Sequence, residues 1–146
     1  MIANRFAIAL ATMVFVTGFF AGNVFQSWSV ARAQSQRVYE LRTYTPAEGK
    51  LQDLHKRFRD HTLRLFEKHG MQNVGYWVPI DPPNSENTLT YIIAHKNREA
   101  AKASWAAFGA DPEWQKVRKE SMADGVSLTT KVESVFLNPT DYSPMK

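Results

Sequence analysis

Arg37-Val38-Tyr39-Glu40-Leu41-Arg42-Thr43-Tyr44-Thr45-Pro46-Ala47-Glu48 contains the change of period on which the fold turns. From Arg37 to Thr43 the chain alternates as a strand does, with Tyr39, Leu41 and Thr43 on one side and Val38, Glu40, Arg42 and Tyr44 on the other. Both sides carry large side chains, so neither reads as a plain solvated face. Thr45-Pro46-Ala47-Glu48 then reads as a helix start, with a hydroxyl at the N-cap, proline at the first helical position and glutamate three residues after the cap. The expected helix runs to about His69 and stops at Gly70, a residue suited to a left-handed C-cap.

At helical spacing the apolar stripe is Leu51, Leu54, Phe58, Thr62, Leu65 and Phe66, which leaves Gln52, Lys56, Arg59, Arg64 and Glu67 to water. Val74–Val78 reads as a second strand, and Thr88–His95, β-branched and aromatic, as a third. Between them Pro79–Asn87 is a loop, because its prolines cannot sit in a ladder. So short a separation predicts an antiparallel hairpin. Asn97 caps an expected helix carrying Ala100, Ala101, Trp105 and Phe108 and ending at Gly109, and Asp111-Pro112 opens another that buries Trp114 and Val117. Thr129–Leu137 is the last strand, and residues 139–146 are a tail. Strand, helix, strand, strand, helix, strand predicts one domain, residues 37–138, with a four-stranded sheet and both crossover helices on one face.

Residues 1–33 stand outside that pattern. Arg5, an apolar run from Phe6 to Phe20 and the small-x-small pattern Ala31-Arg32-Ala33 read as a secretory signal peptide, with Gln34 the mature start. The competing reading is an uncleaved anchor over residues 6–25, near the roughly 20 residues that span a bilayer. The protein is therefore expected to be exported, periplasmic or secreted, with a membrane tether only if the signal stays uncleaved. The sequence has no cysteine, which excludes disulfides, thiolate metal sites and thiol catalysis. Lysine and arginine number 18 against 14 acids, and losing Arg5 and Arg32 with the signal lowers the balance from +4 to +2. The basic residues are interleaved with acids, as in Lys116-Val117-Arg118-Lys119-Glu120, so no nucleic-acid partner is expected.

Tyr39-Glu40-Leu41-Arg42-Thr43-Tyr44-Thr45, the helix end His69-Gly70, Val74-Gly75-Tyr76-Trp77, and Trp105, Phe108 and Asp111-Pro112-Glu113-Trp114 together resemble a NIPSNAP-family domain over Val38 to Phe136. That resemblance implies a ferredoxin-like α+β fold, βαββαβ, that pairs into a dimeric α/β barrel akin to antibiotic-biosynthesis monooxygenases. It implies no defined reaction. A homodimer is also expected on physical grounds: if Glu40, Arg42 and Tyr44 point away from the helices, the open sheet face is too bulky to meet water.

Of the four histidines, His61 and His69 lie on one helix with backbones about 12 Å apart, too far to chelate one ion, while His55 and His61 fall on different faces. No metal and no cofactor is expected; the glycines are scattered singly and no hydrolase elbow is present. His61, on or beside the apolar stripe, is either a core histidine bonded to the sheet or an acid/base group. Glu40 and Arg42 share a strand face, so they either form an ion pair that sets the dimer register or present Arg42 to a substrate carboxylate or enolate. Tyr44, Trp77 and Tyr91 complete the candidate ligand-binding set of Glu40, Arg42, Tyr44, His61, Trp77 and Tyr91. Two functions follow. The first is a homodimer that binds a small apolar or aromatic molecule, or a protein partner. The alternative is a cofactor-independent monooxygenase or isomerase acting on an activated aromatic substrate through His61, Arg42 and Tyr91.

Overall fold

A computed structural model of the protein describes residues 37–145, so the signal or anchor expected over residues 1–33 lies outside the described residues. The first strand, β1, is Val38–Pro46, longer than the alternation predicts, and the helix after it begins at Leu51 rather than at Pro46. The apparent capping box is used otherwise. Thr45 and Pro46 stand opposite Lys131 and Thr129 in the sheet, and the Ala47 amide donates to the Leu128 carbonyl at 3.1 Å. Pro46 has no N–H to give, and the ladder shifts register between Thr45 and Pro46, where that loss does least harm. Gly49, at φ 71°, then turns the chain into the helix, a conformation that glycine adopts without steric cost.

The helical stretch comprises α1 (Leu51–Arg57), a π-helical turn (Phe58–Thr62) and α2 (Leu63–Lys68). Its expected stripe is buried throughout, from Leu51 to Phe66. Gly70, at φ 75°, ends it as expected, with the Met71 amide donating back to the Phe66 carbonyl at 2.9 Å. β2 is Gln72–Trp77, the following loop holds a single turn α3 (Asn84–Asn87), and β3 is Leu89–His95. Asn97 caps α4 (Arg98–Ala110) by accepting from the Ala100 amide, and Asp111 caps α5 (Pro112–Glu120) by accepting from the Glu113 amide. β4, Thr129–Leu137, has the bounds the sequence predicts.

The sheet has four strands in the order β2-β3-β1-β4, antiparallel at every joint, which includes the expected hairpin of β2 with β3. Phe58 and Phe66 from the helical stretch and Trp105 from α4 pack on one side of it, against Tyr44, Tyr91, Leu89 and Ile93. This is a ferredoxin-like α+β domain. Among the described residues no helix is long and apolar enough to cross a membrane.

One expectation about the sheet is reversed. Glu40, Arg42 and Tyr44 point toward the helices: Tyr44 meets Phe58 edge-on, and the Arg42 guanidinium lies 4.3 Å from the Trp105 ring centroid. The period of two then assigns Leu41, Thr43, Thr90, Ile92, Val135 and Leu137 to the open face, together with Trp77 opposite Thr90. That face is apolar except where Glu133 and Lys131, opposite Thr43 and Thr45, form an ion pair, and it leaves Trp77 at 52% and Val135 at 54% exposure. Gly75 makes room there, since a Cβ on it would lie 2.5 Å from the Trp77 ring.

Candidate functional site

Strand alternation that turns Glu40, Arg42 and Tyr44 inward places a carboxylate, a guanidinium and a phenol in the layer between sheet and helices. Glu40 is almost wholly enclosed, at 1% exposure. Its Oε1 accepts from Arg42 at 2.6 Å and from the Ser134 hydroxyl at 2.6 Å, and its Oε2 accepts from Trp105 Nε1 at 2.7 Å and pairs with His95 Nε2 at 2.9 Å. Burial by itself would raise the carboxyl pKa, but the hydrogen bonds from His95, Ser134, Trp105 and Arg42 reverse that and lower it to about 2. Every lone-pair direction of this carboxylate is used. It therefore anchors Arg42 rather than accepting a substrate proton.

Burial also opposes the charge on Arg42, but the Tyr91 and Tyr44 phenols and Glu40 outweigh it and hold the guanidinium firmly charged. Tyr91 donates to the Tyr44 hydroxyl at 2.9 Å and stacks on Tyr76 with centroids 5.2 Å apart. Burial, then the neighbouring Tyr44, pushes the Tyr91 phenol well above its ordinary value, so it stays protonated.

Beyond Tyr44 opens a cavity of about 150 Å³. Phe58, Phe66, Phe108 and Trp114 supply its aromatic wall, and Arg57 and Arg118 its charged lining. The π-helical turn helps to shape it: the Thr62 hydroxyl donates to the Arg57 carbonyl at 3.2 Å, five residues back, while Phe58 and Thr62 both stay buried.

Of the sequence-derived candidates, the structure brings together Glu40, Arg42, Tyr44 and Tyr91. His61 is not with them. It is half-buried on the outer side of the helical stretch, in a groove of about 390 Å³ shared with Lys50, Asp53 and Asp60. Trp77 lies on the open sheet face, across the sheet from Tyr91. Three partners of Glu40 and both cavity arginines are absent from the sequence-derived set. His95 has a usable signal, since it shares the parity of Tyr91 and Ile93 on β3, whereas Trp105, Ser134, Arg57 and Arg118 carry none. His69 is occupied structurally, its Nε2 2.6 Å from Asp111 Oδ2, the oxygen that Lys68 also reaches at 2.7 Å. Among the described residues no group of His, Asp and Glu is arranged to hold a metal ion.

A four-stranded antiparallel sheet with helices on one face defines a ferredoxin-like α+β domain. The NIPSNAP family model matches residues 39–144, and the chain belongs to that family. It is similar to a NIPSNAP family protein from Agrobacterium tumefaciens at 25% identity over 76% of this chain and 95% of that one, with a TM-score of 0.64. A second NIPSNAP family protein from the same organism is 22% identical over 75% of this chain and 99% of that one, with a TM-score of 0.65. SnoaB, a cofactor-independent oxygenase from Streptomyces nogalater, shares the fold at 12% identity over 75% of this chain and 99% of that one, with a TM-score of 0.51. No curated protein matches the chain in sequence.

Proposed function

We propose that the protein is an exported homodimer that binds a small aromatic molecule, held between the sheet and the helices of each subunit rather than in the lumen between two sheets. The cavity of about 150 Å³ behind Tyr44 carries this reading. Cavities of about that size with apolar walls take up a single aromatic ring, and here the walls are aromatic while Tyr44 offers a hydroxyl. Tyr44 is already held by the Tyr91 hydroxyl at 2.9 Å, so little order has to be gained there on binding.

An oxygenase or isomerase would need a base beside the bound ring. Glu40 has no free lone pair, the Tyr91 phenol is held protonated, and His61 stands outside the cavity. These groups favour binding over turnover. The fold shared with SnoaB supports the alternative only at the level of architecture.

Titrating the protein with a panel of single-ring aromatics while following tryptophan fluorescence tests the reading, because Trp114 lines the cavity and Trp105 packs on the Phe66 of its wall. Saturable quenching that is lost in Phe108→Glu supports it; no saturable change from any ring up to millimolar concentration sinks it. Steady oxygen uptake with hydroxyquinones or anthrones would instead establish the alternative. For export, intact mass after bacterial expression is expected to place the mature start at Gln34.

A further inference from the structure

Resting on that reading, we infer that the ligand is an aromatic acid, its carboxylate held by Arg57 and Arg118 and its ring lodged among Phe58, Phe66, Phe108 and Trp114. The cavity lining includes two arginines and no carboxylate. Arg42, two residues before Tyr44 on the same strand face, is already neutralised by Glu40 at 2.6 Å, whereas neither Arg57 nor Arg118 makes an ion pair among the described residues. The Arg118 charge is close enough to weigh on Arg57. Burial first, and then the Arg118 charge, lowers the Arg57 pKa, so an anion between them would relieve a cost that the fold now carries.

Arg57 also has hydrogen-bonding capacity to spare. Its Nε is buried with no partner, a single terminal nitrogen donates to the Ser121 hydroxyl at 3.2 Å, and the guanidinium lies 5.1 Å from the Trp114 ring centroid. A buried orphan donor on a planar guanidinium suits a carboxylate, whose two oxygens match the guanidinium fork. Ser121 and Arg57 also line the outer groove of about 390 Å³, so the charged end of the cavity adjoins a wide opening in which Lys50 and Lys56 stand among Asp53, Asp60, Glu120 and Asp124, and the arginines rather than the groove must supply the attraction for an anion. The volume of the inner cavity limits the hydrophobic part to about one ring.

The test is isothermal titration calorimetry at low salt with three probes: benzoate, its neutral isostere benzamide, and acetate as an anion without a ring. Benzoate is expected to bind at least tenfold more tightly than either of the others. Arg57→Gln and Arg118→Gln should each cost benzoate about tenfold, the scale of one charge-assisted hydrogen bond, and leave benzamide within twofold. Equal affinity for benzoate and benzamide overturns the acid while leaving the aromatic pocket standing; failure of all three to bind a folded protein overturns both. Loss of benzamide and benzoate alike in the two variants would make the arginines structural and end their assignment to the ligand. If Arg57→Gln does not fold, as judged by circular dichroism, Arg118→Gln and the wild-type probe pair still decide.

Discussion

Glu40 concentrates more interactions than any other side chain around the proposed pocket, and its chemistry sets a pH dependence. Its carboxyl is lowered from an ordinary 4.5 to about 2, with four donors outweighing burial. A folded pKa below the unfolded one contributes stability that is fully present above pH 4.5 and is lost as pH falls through about 2. The difference corresponds to about 3 kcal/mol. Glu40→Gln should therefore cost about 3 kcal/mol at pH 7, the usual scale for leaving a buried charge such as Arg42 unpaired. Urea denaturation from pH 7 to pH 2 checks this: the gap between wild type and Glu40→Gln should narrow steadily below pH 4.5, and a gap that stays constant would show that ionisation is not what the cluster rewards. That Glu40 and Arg42 act together was legible, because residues two apart on a strand share a face. Trp105 and Ser134 were not, because they arrive from 65 and 94 positions away, whereas His95, 55 positions away, is marked only by its strand parity with Tyr91 and Ile93. Which face the pair occupies was also hidden, since alternation gives the period and not the side, and both sides of β1 carry bulky groups.

For whole elements the sequence reads well where local signals and the tertiary fold agree, and fails where the sheet outbids a local motif. Asn97 and Thr45 make the contrast testable. The Asn97 side chain accepts from the Ala100 amide at 2.7 Å, a working N-cap, whereas Thr45 lies within β1 opposite Lys131, and no side chain caps the start of α1. Asn97→Ala should cost about 1 kcal/mol, while Thr45→Ala, which removes no cap, should stay within about 0.5 kcal/mol of wild type. Thermal or urea unfolding of the two variants distinguishes them, and equal losses would restore the capping box that the residue types alone suggest. Gly49 extends the argument. At φ 71° with nothing within 4 Å of an added Cβ, Gly49→Ala meets backbone strain and no clash, so the cost should be about 1 kcal/mol. The pairing that lengthens β1 comes from β4, more than 80 residues on, and no window around Thr45-Pro46-Ala47-Glu48 contains it.

At the scale of the molecule, a single sheet with helices on one side leaves Leu41, Ile92, Val135, Leu137 and Trp77 on the other, and burying that face against a second copy is the symmetric solution. The element order alone marks one face of the sheet as uncovered by helices, but Glu40, Arg42 and Tyr44, the residues the strand pattern suggested for that face, are those that build the cluster behind it. This inversion separates two places for the ligand. A site in the lumen between two sheets is assembled only by dimerisation, whereas a site between sheet and helices is complete in one subunit. Val135, 54% exposed and two residues before the end of β4, is the position at which to cut the two apart. Light scattering after size exclusion should give a dimer for the wild type and a monomer for Val135→Glu, because the new carboxylate would be desolvated beside Glu133 on the same face, whose one nearby lysine, Lys131, is already paired. The monomeric variant should keep its far-ultraviolet spectrum and bind benzoate within threefold of wild type. If binding disappears with the dimer while the subunit stays folded, the ligand belongs to the lumen, and the cavity behind Tyr44 is only a gap in the core.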